Sequence, residues 1–376
     1  MSVKKKYLKT WVEIDKSAAE HNLKTFRNVV KRRSKLMAVV KSNAYGHGLF
    51  AFSKMIDRSG VDGFCVDSFT EGAHHRREGI KKPILVLNYT FPELFSAAKK
   101  ENIILSISSR EGLERLKKLS PAKRPDFHLK IDTGMNRQGF YAETVSAVAE
   151  FIARNKLPMK GLFTHFSSAK NVENTAYTKK QFTGFIEAEK KLRSAGLDGF
   201  THHVAATGGT LISADYHLDL VRLGIGLYGL WPSKELERQL GSKISLKPIL
   251  SWRAVVGEVK EAGKGSFVGY DMVERLNRKT LLAVIPVGYW HGFFRSLSGI
   301  GYVIIQGRKA RILGRVSMDI IVVDATGIPV KSGDVVTILG RDGAEEIKAF
   351  ETAEKAGTTH YEFLTRINPL IERRII

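Results

Sequence analysis

Leu36-Met37-Ala38-Val39-Val40-Lys41-Ser42-Asn43-Ala44-Tyr45-Gly46-His47-Gly48 is an apolar run that ends on a cation. The five apolar residues before Lys41 predict a short strand covered on both faces. A polar turn with two glycines follows, and helical periodicity resumes over Leu49–Ile56. An ammonium finishing a buried strand is costly, because desolvation disfavours its charged form. The same desolvation makes it a good amine nucleophile toward a carbonyl cofactor. The plainer alternative is a lysine whose stem covers apolar surface while its ammonium reaches water at the sheet rim.

Outward from that stretch, strand-like and helix-like segments alternate from Leu8 to about Leu230. Asp15–Arg33 has the pattern of a helix, with Asp15 as a candidate N-cap and Leu23, Phe26, Val29 and Val30 on its apolar face. Short apolar runs follow at Leu36–Val40, Gly63–Val66, Ile84–Leu87, Ile103–Ile107, Phe127–Ile131, Gly161–Thr164, His203–Ala206 and Leu223–Tyr228. Amphipathic stretches separate them, among them Thr70–Gly79, Glu111–Leu119, Glu143–Arg154 and Tyr177–Ala195. Eight such strands alternating with helices predict a (β/α)8 TIM-type barrel over residues 10–235. Near Pro232 the helical period fades. Alternating segments separated by glycine-bearing turns predict a C-terminal all-β domain over 236–376: Trp252–Val259, Thr280–Val287, Gly301–Ile305, Arg311–Val316, Ile320–Val323 and Asp334–Leu339.

Composition narrows the function classes. At 376 residues, 43% apolar and 26% charged, the chain is globular and long enough for two domains. It has no apolar run of membrane-spanning length and no apolar signal core behind Met1-Ser-Val-Lys-Lys-Lys6. A single cysteine, Cys65, forms no internal disulfide, so a cytoplasmic location is expected. The net charge of +22 would attract polyanions, but it is spread in short runs without interleaved aromatics. Neither a nucleic-acid nor a membrane partner is expected. His74-His75 and His202-His203 are adjacent pairs whose side chains diverge, and no cysteine set accompanies them, so no metal site is expected.

Polar residues recur where barrel chemistry sits, at the C-terminal ends of strands. Lys41 is one. His128-Leu-Lys130-Ile-Asp132 runs into the loop holding Arg137, and His165 closes Gly161–His165. Thr207-Gly208 follows the seventh strand, and Arg222-Leu-Gly224-Ile225 lies at the eighth.

The segment Ala38-Val-Val-Lys41-x-Asn-Ala-Tyr45-Gly-His-Gly48 closely resembles the pyridoxal-phosphate attachment segment of alanine racemases, and the other segments match that family in order. The resemblance implies Lys41 as the cofactor lysine, and Tyr45 and Tyr361 as phosphate contacts. Thr207, Gly208, Gly224 and Ile225 would form an anion site. Arg222 would face the pyridine nitrogen and, being always charged, keep the ring a weak electron sink, which favours racemisation over transamination. His165 would hydrogen-bond Arg222. Tyr270, in Gly263-Lys-Gly-Ser-Phe-Val-Gly269-Tyr270, would be the second base, reaching the cofactor of a partner subunit in a homodimer. A tyrosine phenol titrates near 10, so it would need cationic or hydrogen-bonding neighbours. Arg137 would take the substrate carboxylate. Lys130 matches a lysine carbamylated in relatives, with a bare lysine paired to Asp132 as the alternative. Tyr289, Met318 and Asp319 would line the substrate end. The start, Val3–Val12, would add a strand to the β domain, with residues 1–9 pairing with it.

The implied activity is PLP-dependent interconversion of L- and D-alanine, supplying D-alanine for peptidoglycan. The alternatives are a racemase acting on serine or lysine, or a non-catalytic PLP-binding barrel. Several positions depart from the family pattern: Ala206-Thr207-Gly208 stands for Asn-Ser-Ala, Leu223 for a proline, and Tyr289-Trp290-His291 lacks the usual acidic residue. The C-terminal Arg-Val-Pro-Arg is echoed loosely by Arg366-Ile-Asn-Pro-Leu-Ile-Glu-Arg373. These changes touch the pocket rim and leave the chemistry residues in place.

Overall fold

Apolar runs buried on both sides pair in parallel to build the first half of the molecule. Lys35–Val39 lies between Leu220–Leu223 and Gly63–Val66, and Gly63–Val66 pairs onward with Ile84–Val86. Leu105–Ile107, Phe127–Asp132, Met159–Phe163 and Thr201–His203 form a second parallel ladder in that order. Lone bridges from Leu85 to Ile104 and from Ala206 to Arg222 join the two ladders into an eight-stranded barrel. The computed structural model describes residues 8–376 and divides the chain into two compact units. Residues 17–42 and 53–247 form the barrel unit. The described residues up to Lys16, together with Asn43–Phe52 and Pro248–Ile376, form the other.

Helices cover the barrel with the stripes that their periodicity predicts. Lys16–Val29 buries Ala18, Ala19, Leu23 and Phe26. Burying a ring such as Phe26 contributes about 1.5–3 kcal/mol. That ring occupies the space in which a side chain on Gly226 would lie, 2.4 Å from its position. Ser68 and Ser109 cap the helices Phe69–Arg77 and Arg110–Lys118, accepting from Glu71 N and Gly112 N.

Two strand positions differ from the sequence expectation. The seventh strand is Thr201–His203 and the eighth Leu220–Leu223, each upstream of the apolar runs His203–Ala206 and Leu223–Tyr228. Gly224–Gly229 is buried as a looped turn, tied by Leu227 N to Gly224 O, and Tyr228 Oη donates to Val39 O. Burial made that loop apolar, so apolarity alone did not mark the ladder there.

In the second unit, antiparallel pairing links Glu258–Ala262, Thr280–Ile285, Ile321–Asp324, Arg308–Leu313, Tyr302–Ile305, Val335–Asp342 and Leu250–Val255. The stretch expected as one strand, Trp252–Val259, is two, interrupted at Val256-Gly257. Thr10–Ile14 extends this sheet and pairs in parallel with Arg373–Ile375, a strand too short to read in the sequence. Trp252 is fully buried and donates its indole N–H to Thr10 Oγ1. Residues 10–16, 43–52 and 236–247 fall in the other unit from that expected with a boundary at 235/236. The part of the expected N-terminal strand before Leu8 lies outside the described residues.

Candidate active site

The site starts from the turn after the first barrel strand. Lys41–Tyr45 is a single helical turn, with φ of 55°, 56°, 52° and 53° at Ser42, Asn43, Ala44 and Tyr45. Those four side-chain-bearing residues all occupy the left-handed region, at roughly 1–2 kcal/mol each. Such strain persists only where neighbours over-determine it, and it marks functional segments. Here Ser42 N donates to Glu71, whose other oxygen accepts Asp67 N, and His47 Nδ1 meets Ala44 O and Tyr45 O, both at 3.0 Å. Burial pushes His47 down to about 3, so its ring stays neutral. Lys41 Nζ lies 3.8 Å from Asp67.

Arg222 sits in the eighth strand, buried, with no carboxylate paired to it among the described residues. Its Nη1 donates to His203 Nδ1 and to His203 O at 3.1 Å, and its Nη2 to Thr164 O and Val204 O at 2.8 and 3.2 Å. A guanidinium has five N–H groups, so these four bonds leave the Nε–H as the donor without an acceptor among the described residues. Because arginine only donates, His203 Nδ1 must accept, and the neutral ring carries its proton on Nε2. That proton points at His128 Nδ1, 2.7 Å away. Burial and the Arg222 charge push His203 well down and His128 to about 3, so the chain from His128 to Arg222 has a fixed direction. Phe163 stacks on His203 at 4.8 Å, with the Arg222 guanidinium 5.3 Å from the same ring. Burial pulls Arg222 itself down to about 10, which still leaves it a cation at neutral pH.

The expected bond from His165 to Arg222 is replaced by this His203 contact. His165 is pushed to about 3 by burial and then by the charges of Arg222, Arg137, Lys130 and Lys41. The expected pairing alternative for Lys130 also changes. The Asp132 carboxylate accepts the backbone N–H groups of Gly134, Met135, Asn136 and Arg137 and shapes the loop that carries Arg137. Lys130 Nζ instead donates to Gln138 Oε1 at 2.9 Å, and Gln138 reaches Asn88. Burial, Arg137 and Arg222 bring Lys130 down to about 8.

Thr207 Oγ1 accepts the N–H groups of Gly224 and Gly226 at 3.2 and 3.3 Å, so this hydroxyl joins the loops after the seventh and eighth strands. Gly208 leaves room for Ala169 O, which would lie 1.9 Å from a side-chain carbon there. Ile225 is buried in the same turn.

The remaining candidates belong to the second unit. Tyr45 and Tyr361 face each other at 6.2 Å, and burial pushes the Tyr361 phenol up to about 12, which keeps it a donor. Tyr289 N and Trp290 N donate to Ser317 O and Met318 O, so Tyr289 and Met318 are carried on stitched loops; Asp319 lies 3.9 Å from His291. Tyr270 is 68% exposed beside Met272 at 69%, in a turn where Asp271 pairs with Arg315.

Sequence reading weighed His203 only as half of a metal pair and gave no role to His128, Gln138 or Glu71. One signal was available: Gly161 pairs with His128 across the ladder, and a side-chain carbon there would lie 2.5 Å from the ring. That glycine makes room for the histidine.

A family model for the alanine racemase N-terminal domain matches residues 14–232, and one for the C-terminal domain matches 249–375. The chain belongs to the alanine racemase family. It is similar to alanine racemases of Leptospira interrogans (35% identity over 98% of this chain and 96% of that protein) and Methanococcus maripaludis (34%, 96% and 97%). Among solved structures it resembles alanine racemase from Bacillus anthracis with bound L-Ala-P: TM-score 0.93, 32% identity, 98% of this chain and 95% of that one. It also resembles the Clostridium difficile 630 alanine racemase in complex with cycloserine, at TM-score 0.89 and 30% identity over 98% and 96%.

Alanine racemases depend on pyridoxal phosphate, and the residues present suit it. A lone Nε–H on an obligate cation fits an unprotonated pyridine nitrogen. The Thr207–Gly208 turn suits a phosphate, and Lys41 suits the aldehyde.

Proposed function

We propose that this chain interconverts L- and D-alanine with pyridoxal phosphate, using Lys41 on one face of the amino acid and Tyr270 of the partner subunit on the other. The observation that carries the reading is Arg222, whose four Nη–H groups are bound to protein acceptors while its Nε–H has none among the described residues. When bound, the cofactor supplies a conjugated ring that takes up the charge left as the α-proton departs. Lys41 Nζ would hold or release a proton on one side, and the Tyr270 phenol would do so on the other. Arg222 would keep the ring nitrogen unprotonated, and the histidine chain behind Arg222 would fix its angle. Arg137 would orient the substrate carboxylate, with the Asp132 carboxylate holding its loop.

Tyr45, Tyr361, Thr207, Gly208, Gly224 and Ile225 would hold the phosphate, His165 would add to the cofactor pocket, and Tyr289, Met318 and Asp319 would limit the side chain accepted. A Lys130 amine brought down to about 8 is partly neutral at working pH, which supports carbamylation by carbon dioxide. The exposed Tyr270, Met272 and Val273 support a homodimer. No helix of the described residues is long and apolar enough to cross a membrane. We place the enzyme in the cytoplasm, where its D-alanine would serve peptidoglycan synthesis.

The test is to mix purified protein, pyridoxal phosphate and L-alanine and follow D-alanine. Steady formation is expected, and none at all would defeat the reading. A panel including serine and lysine separates alanine from the other substrates, and sedimentation at several concentrations tests the dimer.

A further inference from the structure

We infer that Arg373, the fourth residue from the end of the sequence, is a positioning residue that locks the left-handed turn following Lys41 and so sets cofactor retention. Its backbone is fixed by the parallel pairing of Arg373 with Val12. Its side chain lies along Gly48, where a side-chain carbon would come within 3.2–3.7 Å of the arginine stem. Nε and Nη2 both donate to Gly46 O, at 3.1 and 3.0 Å. Nη1 donates to Asn368 O and Ile371 O, at 2.5 and 2.6 Å, and Nη2 also to Ile367 O at 2.9 Å. All five N–H groups thus end on backbone carbonyls, and no carboxylate pairs with this arginine among the described residues.

That arrangement is specific to a planar fork, because a lysine has three donors on a point charge and could not bridge four carbonyls. The bridged segments matter because of what they hold. Gly46 closes the left-handed turn, and its missing side chain admits Leu364 O, 2.0 Å from where a carbon would sit. Tyr45 faces Tyr361 on the same C-terminal segment, and His47 takes the carbonyls of Ala44 and Tyr45. With Ala44 and Tyr45 carbonyls claimed by His47 and that of Gly46 by Arg373, the turn has no free acceptor at its end with which to unwind toward water. Burial pulls Arg373 down to about 10, so the fork stays charged through neutral pH.

The inference rests on Lys41 being the cofactor lysine only for its cofactor half; the effect on the turn stands apart from that reading. The experiment uses full-length Arg373→Met, Arg373→Lys and, as a control for general loss of stability, Arg253→Met from the same unit. Two quantities are read on each: hydrogen exchange of residues 44–48 without cofactor, and pyridoxal phosphate affinity from visible absorbance. Arg373→Met should speed exchange at His47 and Gly48 at least tenfold and weaken cofactor binding at least tenfold. Arg373→Lys should fall between wild type and Met in both, and it carries the test if the Met variant does not fold. Arg253→Met should lower the melting temperature and leave both readings near wild type. Unchanged exchange in the Arg373 variants, or changes no larger than those of the control, overturns the inference. Fast exchange together with a wild-type protein that never binds pyridoxal phosphate would retain the lock and discard the cofactor reading.

Discussion

The buried histidines and cations of the barrel unit and the exposed loop residues of the second unit are held in opposite ways. In the barrel unit, His128, Arg222, His203 and Lys130 are buried, and burial shifts each of them toward its neutral form. In the second unit, Tyr270, Tyr289 and Met318 are exposed on loops. The His128–His203 contact and the four Nη–H bonds of Arg222 are already made within the barrel, so these groups are organised before any ligand arrives. Exposed aromatics have no such constraint, and in the proposed function a second copy of the chain would cover them.

That contrast can be broken most directly at the two proposed bases. Lys41→Ala should remove the visible cofactor absorbance and lower racemisation by ~10^3-fold or more, measured by D-alanine formation. An unchanged spectrum would take Lys41 out of its role. Tyr270→Phe should cost ~10^2–10^4-fold and stop proton exchange with solvent from one enantiomer only. Its unfolding midpoint should stay within about 0.5 kcal/mol of wild type, because the side chain is largely exposed. Equal exchange from both enantiomers would reject the two-base scheme.

Arg222→Met should show the reverse balance between activity and stability. It strands His203 Nδ1, Thr164 O and Val204 O without donors and leaves His203 O only the long bond from Thr164 N, for a loss of about 3 kcal/mol or more in urea unfolding. A stable Arg222→Met would mean that the barrel site is less organised than its hydrogen bonds indicate.

The smallest effect is the pH slope. As pH falls below 6.5, histidines in the unfolded chain take up protons, whereas His128, His165 and His47 resist until about 3. The unfolded state then binds more protons, so stability falls with pH through that window, by up to ~1.4 kcal/mol per unit for each histidine. Two of these three belong to the barrel unit, so His165→Gln should flatten the slope of urea unfolding between pH 6.5 and 5. An unaltered slope would show His165 protonating normally in the native protein.

Much of this was legible in the chain itself. Continuous apolar runs marked strands buried on both faces, and the position of Lys41 after Leu36–Val40 put an amine at a strand end. The shift to alternating segments near Pro232 announced the antiparallel sheet, because period-two burial is written residue by residue. What depends on partners far away along the chain was not legible. No local pattern says that Arg222 bonds His203 rather than His165, that Lys130 turns to Gln138 rather than Asp132, or that Arg373 reaches back to Gly46. Burial and periodicity are properties of a segment, and sequence carries them directly. Hydrogen-bond partners are chosen when distant segments meet and each buried donor takes the acceptor within reach, so only the tertiary structure decided them.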